Sequence, residues 1–349
     1  LTGRRVLITG AGGSIGSELA RIVAGFEPSL IVLMERSENA LFEIDRELAE
    51  RYPRVPRKAV LHDVVDADAT VRQFTALRPN VVFHAAAHKH VPLMEEHPSH
   101  AVTNNFFGTK SVADAALATG VQRFVLISSD KAVNPTSVMG ATKRVAERVV
   151  QHLGARSSTC FVAVRFGNVL NSNGSVVPMF MEQIRRGGPV TVTHPEIRRF
   201  FMLIPEAVQL VLHAATLATS GAIYMLEMGE QVNIADMARN LIRLSGFIPD
   251  EEIHVTFTGL RPGEKLYEEL VGSDETAAPA GVEKLQRIVS TVPIDESSFE
   301  LELRQLEAAA FRADDATVTT ILQRVVPTFT PMKKPDESDP PLRRAIGDR

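Results

Sequence analysis

A glycine-rich turn near the start of the chain constrains the fold more than any other feature. The apolar run Arg5-Val6-Leu7-Ile8 precedes Thr9-Gly10-Ala11-Gly12-Gly13-Ser14-Ile15-Gly16, and a helical pattern follows it. Glycines at 10, 13 and 16 allow a tight turn, let backbone N–H groups approach a phosphate and let the helix pack close to a sheet. The order strand, turn, helix predicts a nucleotide-binding βα unit. Its predicted cofactor residues are Gly10, Gly13, Ser14, Ile15 and Gly16.

An acidic residue further along supports this prediction. The apolar run 30–34 ends in Glu35, about twenty residues after the turn. An acid at this place accepts hydrogen bonds from an adenosine ribose and repels a 2′-phosphate, which favours NAD. Arg36 argues for NADP, because a guanidinium there neutralises that phosphate. NAD is therefore the expected cofactor and NADP the weaker alternative, with Glu35, Arg36 and Ser37 as candidate contacts.

The same turn also contains Gly12-x-Ser14-x-Gly16, the pattern of a hydrolase nucleophile elbow. An elbow needs an acid and then a histidine from later strands. It explains neither Gly10 nor Glu35, so the dinucleotide interpretation is preferred.

Strand and helix patterns alternate through the first half of the chain. Candidate strands lie at 5–9, 30–34, 58–62, 80–84, 122–128 and 159–165, and candidate helices at about 15–25, 37–51, 66–77, 103–119 and 138–153. This alternation predicts an α/β fold, a doubly wound parallel sheet of the Rossmann type, with an NAD-binding domain over residues 1–165.

The regular alternation of strand and helix patterns ends after residue 165. A loop rich in Gly, Asn and Pro spans 167–178, and helical patterns follow near 178–187, 205–219 and 233–245. We expect residues 166–326 to form mainly a smaller C-terminal substrate-binding lobe, with some segments returning to the first domain. Residues 327–349 are poor in apolar side chains and are predicted to form a tail.

Composition narrows the class of protein. A chain of 349 residues with 44% hydrophobic residues can build a sizeable core, and a net charge of −4 offers no basic surface for nucleic acid. The single Cys160 excludes a disulfide framework and a cysteine zinc site. No apolar run reaches the roughly 18 residues of a membrane span and no signal peptide is visible, so a cytoplasmic enzyme is expected. The chain starts at Leu1 without an initiator methionine, and a membrane portion missing from its N-terminal side is a further expectation.

The segment after the strand at 122–128 carries candidate catalytic residues. Ligands of doubly wound folds bind at the carboxyl ends of the strands, so Asp130 and Lys131 are expected in that crevice. Met139 and Lys143 lie one helical turn apart and face the same way, in a spacing that almost reads Tyr-x-x-x-Lys. The tyrosine of that pattern can take a proton from a substrate hydroxyl, whereas a methionine cannot. Either another group does so, or the enzyme is slow, or the site is inactive.

These residues resemble the extended short-chain dehydrogenase/reductase superfamily, and more narrowly the nucleotide-sugar 4,6-dehydratases of bacterial polysaccharide biosynthesis and protein glycosylation. The resemblance covers about residues 1–290, and its marks are Ser129-Asp130-Lys131, Met139-x-x-x-Lys143, Arg165-Phe166-Gly167-Asn168-Val169, Arg199-Phe200-Phe201-Met202 and Arg261-Pro262-Gly263-Glu264-Lys265. Methionine at 139 is similar to the longer, C5-retaining UDP-N-acetylglucosamine 4,6-dehydratases, which usually carry an N-terminal membrane portion. Shorter relatives keep the tyrosine and invert C5.

The resemblance implies conversion of UDP-N-acetylglucosamine to the UDP-4-keto-6-deoxy sugar. C4 is oxidised, water is lost across C5 and C6, hydride returns to C6, and NAD is regenerated. Asp130 is implied as the acid, Lys131 as the C5 base, Ser129 as a hydrogen-bond partner of the C4 oxygen and Lys143 as a nicotinamide-ribose ligand. A lysine base must be neutral when it acts, which requires desolvation or nearby positive charge. Whether a water or Asp130 takes the C4 hydroxyl proton stays open.

Further candidates follow from position and from the resemblance. Guanidinium forks suit phosphate oxygens, so Arg199 and Arg261 are predicted at the diphosphate together with Glu264, and Met202 is a further predicted substrate contact. Other predicted substrate contacts are Asn168, Val177, Pro178, Met179, His88 and Lys89. Other predicted cofactor contacts are Asp63, Val64, Ala85, Ala86, Ala87 and Asn105.

Five histidines, His84, His88, His90, His97 and His100, also suggest a metal site. No cysteine or nearby aspartate completes a ligand set, so no metal is expected.

Several alternatives remain at this point. The chain is alternatively a C5-inverting dehydratase or a C4 epimerase of a UDP-sugar. In a different class, it is a catalytically silent NAD-binding sensor or scaffold that kept the fold without the chemistry. Relatives commonly associate, so a homo-oligomer is expected.

Overall fold

The computed structural model describes residues 1–217, 219–291 and 296–332, with the backbone alone at 296 and 297. The first part alternates strands and helices, as the sequence predicts. Its elements are β1 (Arg5–Thr9), α1 (Ser14–Ala24), β2 (Leu30–Glu35), α2 (Glu38–Arg51), β3 (Arg57–Leu61), α3 (Ala67–Leu77) and β4 (Val81–His84).

The next part brings the chain to the catalytic candidates. Its elements are α4 (Val91–Glu96), α5 (Pro98–Ala101), a π-helical segment (Val102–Phe107), α6 (Gly108–Ala118), β5 (Arg123–Ile127), a 3₁₀ turn (Asp130–Ala132), α7 (Val138–Gly154) and β6 (Cys160–Arg165). The helix predicted at 103–119 therefore starts as a π-helical segment, and α4 and α5 were not predicted. π-Helical turns recur at functional sites.

The remaining elements mix short strands with helices. They are β7 (Asn168–Val169), α8 (Val176–Arg185), β8 (Val190–Val192), β9 (Arg198–Arg199), β10 (Phe201–Met202), α9 (Ile204–Leu217), β11 (Ala222–Leu226), β12 (Val232–Asn233), α10 (Ile234–Leu244), β13 (Val255–Phe257), β14 (Glu275–Pro279), β15 (Leu285–Ser290), α11 (Glu296–Phe311) and α12 (Asp315–Val325).

In the described part of the chain, the main sheet has nine strands in the order β14-β15-β11-β6-β5-β4-β1-β2-β3. Neighbours from β3 to β11 run parallel, which confirms the doubly wound parallel sheet. β15 is antiparallel to β11, and β14 is antiparallel to β15, an edge hairpin that the sequence did not predict. The strand order reverses between β1 and β4, where such sheets open a ligand crevice.

Apolar layers cover both faces of this sheet. One layer holds Leu19 of α1 together with Val211 of α9, and the other holds Phe74 and Phe124. A third cluster joins α7 to α11 and α12. The segments β11, β14, β15, α9, α11 and α12 therefore all return to the first domain.

The smaller lobe has its own apolar core, which includes Phe180, Val190, Ile234, Ile242 and Ile253. Two short strand pairs lie at its junction with the rest of the molecule, since β10 pairs with β7 and β12 pairs with β9. The lobe is therefore tied to the loop that leaves β6.

The packed chain extends past residue 326, where the tail was predicted to start. Phe329 is buried, and the Thr330 and Met332 backbone N–H groups donate to the carbonyls of Pro135 and Thr136. The rest of that predicted tail, 333–349, lies outside the described residues. Within the described ranges, every helix is too short or too polar to cross a bilayer.

A buried ion network connects three elements. Arg165 at the end of β6 donates to both carboxylate oxygens of Glu147 on α7 at 2.7 Å, and to those of Glu275 on β14 at 2.7 and 2.8 Å. Arg144 also pairs with both acids, and the Ser128 hydroxyl donates to Glu147 at 2.6 Å. Removing one partner of such a buried pair costs about 3–5 kcal/mol.

Candidate active site

The glycine turn lines a cleft at the carboxyl ends of β1, β2 and β4. We call it the glycine cleft. Gly10 has a φ of +65°, and a Cβ there would lie 2.7 Å from the Ala86 nitrogen. A side chain at this position would therefore clash with the Ala86 backbone. Gly13 precedes α1 without a side-chain cap, which leaves N–H groups of that helix available to an anion. The predicted residues Asp63, Val64, Ala85, Ala86 and Ala87 line this cleft.

Backbone N–H groups surround the Glu35 carboxylate. One oxygen accepts from Gly12 at 3.2 Å, and the other accepts from Arg36 and Ser37 at 3.0 Å each. This acid therefore holds the glycine turn and the start of α2 together at the place predicted for ribose recognition.

The Arg36 side chain lies at the rim of the glycine cleft. Its guanidinium donates to Asn104 Oδ1 at 3.0 Å, lies 3.1 Å from His88 Nε2, and has Asp63 at 3.9 Å. His88, predicted as a substrate contact, thus lines the glycine cleft. Burial, followed by the charges of Arg36 and His100, lowers the pKa of His88 to about 4, so the ring is neutral at pH 7.

Asn105 fixes the backbone beside this cleft. Its side-chain oxygen accepts from the His88 N–H at 2.7 Å, and its amide nitrogen donates to the His88 carbonyl and to the Thr142 hydroxyl, each at 3.1 Å. The π-helical segment that carries Asn105 therefore connects the loop after β4 to α7.

Met139 and Lys143 occupy the first turns of α7. The Lys143 ammonium donates to the Ile127 carbonyl at 2.8 Å at the end of β5. Burial lowers the pKa of Lys143 to about 8 against the opposing effect of Glu147. Met139 is 2% exposed and belongs to the apolar cluster of α7, the π-helical segment and α11, so it packs where the sequence analysis expected a catalytic position.

A second cavity lies next to the 3₁₀ turn, and we call it the cationic cavity. Its charged lining in the described residues comprises Lys131, Arg199, Arg261, Lys265, Glu264 and Glu268. Thr136 and Ser137 line it from the start of α7. Ser137 caps that helix by accepting from Gly140 at 3.1 Å, and Glu95 accepts from the Val138 N–H at 2.6 Å.

Asp130 and Lys131 form an ion pair at this cavity. Lys131 Nζ lies 3.0 Å from Asp130 Oδ1, 3.1 Å from Asn168 Oδ1 and 3.5 Å from Glu268 Oε1. The Ser129 hydroxyl also donates to Asp130 Oδ1, at 2.9 Å, whereas the buried Asp130 Oδ2 has no hydrogen-bond partner in the described structure. Burial favours the neutral amine, but Asp130 and Glu268 outweigh it and raise the pKa of Lys131.

The structure brings the predicted diphosphate residues together. Arg199 donates to the carbonyls of Arg198 and Leu266 and lies 3.4 Å from Glu264 Oε1. The other oxygen of Glu264 accepts from the Arg261 N–H at 3.1 Å, and Arg261 itself is exposed. Two guanidinium groups thus share one rim of the cationic cavity.

Other predicted substrate residues lie apart from the described lining of this cavity. Val177, Pro178 and Met179 begin α8, with Met179 exposed, and Met202 is buried in the sheet layer that contains Val211. Lys89 donates to the Asn173 carbonyl at 2.6 Å.

The loop that contains Asn173 lies over the glycine turn. The Asn173 N–H donates to the Ser14 hydroxyl at 3.1 Å. Ser14, the serine of the elbow pattern, therefore contacts loop backbone, and Lys89 holds that same loop from the other side.

Sequence reasoning missed Glu268, Glu95 and Asn104. Glu268 lies three residues after Lys265, the end of the Arg261–Lys265 motif, and this closeness was the available signal. Glu95 and Asn104 have no motif of their own. Among the predicted histidines, His84 bridges the hydroxyls of Thr9 and Thr109, and burial lowers its pKa to about 3. The described residues contain no group of three or more His, Cys, Asp or Glu arranged for a metal.

A family model described as polysaccharide biosynthesis protein matches residues 6–290. The capsular polysaccharide biosynthesis protein CapD of Staphylococcus aureus is 53% identical over 82% of this chain and 48% of its own length. The probable polysaccharide biosynthesis protein EpsC of Bacillus subtilis is 54% identical over 80% of this chain and 46% of its own. The chain thus spans about half the length of these relatives. A UDP-glucose 4-epimerase of Rickettsia rickettsii is 33% identical over 82% of each chain.

Solved structures give the same fold. Pen from Bacillus thuringiensis has a TM-score of 0.75 and 33% identity, covering 83% of this chain and 90% of its own. The dTDP-glucose 4,6-dehydratase DesIV from Streptomyces venezuelae, solved with NAD bound, has a TM-score of 0.66 and 20% identity, covering 77% and 88%. At that identity DesIV supports the fold alone.

Proposed function

The chain belongs to the polysaccharide biosynthesis protein family of extended short-chain dehydrogenases/reductases, and on that premise we propose that it is a nucleotide-sugar 4,6-dehydratase acting on UDP-N-acetylglucosamine. The observation that carries the proposal is the Asp130–Lys131 ion pair at the cationic cavity, in which one Asp130 oxygen has no hydrogen-bond partner among the described residues. Elimination of water across C5 and C6 needs a proton donor and a base side by side, and this pair supplies both.

The glycine cleft fits a dinucleotide. The missing Cβ at Gly10, the uncapped start of α1 and the fixed Glu35 carboxylate suit a pyrophosphate and an adenosine ribose. Lys143, Asn105 and the alanines after β4 would hold the nicotinamide half. NAD, when bound, supplies the hydride acceptor and donor. Arg36 is engaged by Asn104, His88 and Asp63, which supports NAD over NADP.

The cationic cavity suits the diphosphate of a UDP-sugar. Arg199 and Arg261 offer guanidinium forks, and Lys265 adds a charge beside them. A diphosphate would compete with Glu264 for Arg199, because that pair is held only at 3.4 Å. Binding there would direct the sugar toward Lys131.

Each catalytic side chain has an assigned task. Asp130 protonates the departing C6 hydroxyl through its unpartnered oxygen, and Lys131 removes the C5 proton. Ser129 orients Asp130 by donating to its other oxygen. With Met139 buried in the apolar cluster, Asp130 takes the C4 hydroxyl proton and later delivers it to the departing C6 oxygen, which leaves as water.

The deciding experiment incubates the purified protein with NAD and UDP-N-acetylglucosamine in D₂O and follows the sugar by NMR and mass spectrometry. A 4-keto-6-deoxy product with deuterium at C5 would establish the dehydratase, and the C5 coupling would show retention or inversion. An unchanged sugar with NAD bound would overturn the proposal in favour of a sensor or of a different nucleotide sugar.

A C4 epimerase is the second candidate, because the UDP-glucose 4-epimerase of Rickettsia rickettsii aligns over most of both chains. An epimerase has no use for an acid–base pair at C5 and C6. In the same experiment it would yield the galacto epimer without loss of water and without deuterium at C5.

A further inference from the structure

Glu268 is a buried carboxylate of the cationic cavity that the proposed reaction does not use. Its side chain is 3% exposed, and its Oε1 lies 3.5 Å from Lys131 Nζ and 3.7 Å from Arg199 Nε. Its buried Oε2 has no hydrogen-bond partner in the described structure. Because buried carboxylate oxygens are normally hydrogen-bonded, this one calls for a reason.

The number of protons that the proposed reaction releases gives such a reason. Oxidation at C4 releases the proton of the C4 hydroxyl. Lys131 is an ammonium in the free site, so it must release a second proton before it can act as a base. Asp130 can hold one of the two protons on its free oxygen, since its other oxygen already accepts from Ser129 and Lys131. Met139 cannot hold the other, so a second acceptor is required.

We propose that Glu268 takes a proton from the Lys131 ammonium and holds it while Lys131 acts as the base at C5. This inference rests on the proposed dehydratase function. Glu268 acts through Lys131 and does not touch the sugar, so it is a positioning residue. Its backbone is itself held, since Gln231 Nε2 donates to the Glu268 carbonyl at 2.8 Å.

In the proposed proton transfer from Lys131 to Glu268, every bond that breaks is matched by one that forms. An N–H bond of the ammonium breaks and an O–H bond forms on Glu268, with no change of oxidation state. The neutral Lys131 then takes the C5 proton, the C5–H electron pair forms the C5–C6 double bond, and the C6–O bond breaks as that oxygen takes the Asp130 proton. When Lys131 returns a proton to C5, Glu268 returns its own to Lys131.

The surrounding charges set the direction of this transfer. Asp130 and Glu268 face the ammonium from the 3₁₀ turn and from the segment after the Arg261–Lys265 motif, and Asn168 accepts from it on β7. Arg199 on β9, Lys265 and Arg261 oppose a second positive charge in the same cavity, while Glu264 is engaged by Arg199. A diphosphate that neutralises Arg199 would remove the cation that stabilises the Glu268 carboxylate, and so would raise the affinity of Glu268 for a proton.

A labelling experiment tests the coupling without any substrate. The reaction of Lys131 with acetic anhydride is followed against pH by peptide mass spectrometry, in the wild type and in Glu268→Gln. The pH of half-maximal reactivity should fall by about one to three units in Glu268→Gln, because an anion beside the ammonium is lost. The matched control is Glu269→Gln, whose half-exposed carboxylate pairs with Lys265 and should leave Lys131 unchanged. Equal curves for Lys131 in all three proteins would overturn the inference.

Turnover against pH tests the transfer itself. In Glu268→Gln, kcat should fall about 100-fold near neutral pH and then rise about tenfold per pH unit, as hydroxide replaces the lost acceptor, while the wild type stays flat. Glu268→Asp should recover part of the loss. A loss that is the same at every pH, or no loss, would contradict the proposal. If the wild type fails to dehydrate the sugar, the proposed function fails, and labelling still reports on the Lys131–Glu268 pair.

Discussion

The glycine cleft and the cationic cavity differ in how the hydrogen-bonding capacity of their carboxylates is satisfied. In the glycine cleft, three backbone N–H groups satisfy the Glu35 carboxylate. At the cationic cavity, Asp130 and Glu268 each keep a buried oxygen that has no hydrogen-bond partner in the described part of the chain.

The contrast separates binding from chemistry. Satisfied groups stabilise one rigid shape, which suits a ligand that stays bound through the reaction. Unsatisfied buried oxygens lower stability and remain free to exchange protons. Substitutions in the glycine cleft should therefore change cofactor affinity, whereas those in the cationic cavity should change turnover.

Asp130→Asn should give the largest effect. Loss of the proton donor should lower kcat for dehydration by about 10³-fold, within the range of general acid catalysis, and leave NAD affinity within about twofold. Single-turnover formation of the 4-keto sugar and calorimetric titration with NAD measure both. Asp63→Asn, at the half-exposed acid of the glycine cleft, is the matched control and should keep its kcat. Near wild-type dehydration by Asp130→Asn would remove Asp130 from the mechanism.

Gly10→Ala tests whether the glycine cleft depends on its shape. The new Cβ would meet the Ala86 backbone at 2.7 Å in a left-handed conformation, so the free energy of unfolding should fall by about 3 kcal/mol. NAD binding should weaken as well. Gly3→Ala has a similar φ of +68° but no atom within 4 Å of the new Cβ, and it should cost about 1 kcal/mol. Urea unfolding of both variants measures the difference, and equal losses would show that shape at Gly10 is unimportant.

Lys143, whose ammonium donates to the Ile127 carbonyl at the end of β5, should make stability depend on pH. Its pKa is about 8 in the fold and 10.5 when exposed, so between these values the unfolded chain binds more protons. Stability of the wild type relative to Lys143→Met should therefore rise with pH across this window, by on the order of 3 kcal/mol. Below pH 8 the difference should be constant. Denaturant unfolding at several pH values measures it, and a flat difference up to pH 10.5 would contradict the burial of a charged ammonium.

Glu35→Gln should give the smallest effect. The amide keeps the shape but weakens the bonds from the backbone N–H groups, so NAD should bind about tenfold more weakly, a loss of about 1.4 kcal/mol. With saturating NAD, kcat should be unchanged. Discrimination against NADP should also fall, because the charge that repels a 2′-phosphate is gone. Titrations with both cofactors test this. A large drop in kcat would contradict the expectation that substitutions in the glycine cleft change cofactor affinity alone.

Local pattern was sufficient for the first strand–turn–helix unit. The strand at 5–9, the glycine turn and the following helix are consecutive in the chain, so periodicity and glycine spacing predicted them correctly. The same holds for β2 with Glu35 at its end. These features depend on neighbours in sequence, and no distant contact is needed to recognise them.

Distant contacts explain what was missed. Glu268 meets Lys131 only because the loop after the Arg261–Lys265 motif folds back across the cavity. Met139 and Lys143 were assigned to one helix face that lines the site. Most of α7 is buried, because the sheet covers one side of the helix and α11 and α12 cover the other, and this second cover could not be recognised from the local pattern. The strands β14 and β15 lie in a stretch rich in Gly, Pro and charge, where local pattern is weak.

The buried Arg165 has a consequence for the order in which the protein matures on the ribosome. Glu147 has already been synthesised when Arg165 emerges, but Glu275 follows 110 residues later. Until then the guanidinium lacks half of its counter-charge, and β6 cannot settle fully into the sheet. Strands β1 to β5 precede Glu275 by more than a hundred residues, whereas the Arg165 end of β6 gains its second counter-charge only when β14 joins the sheet.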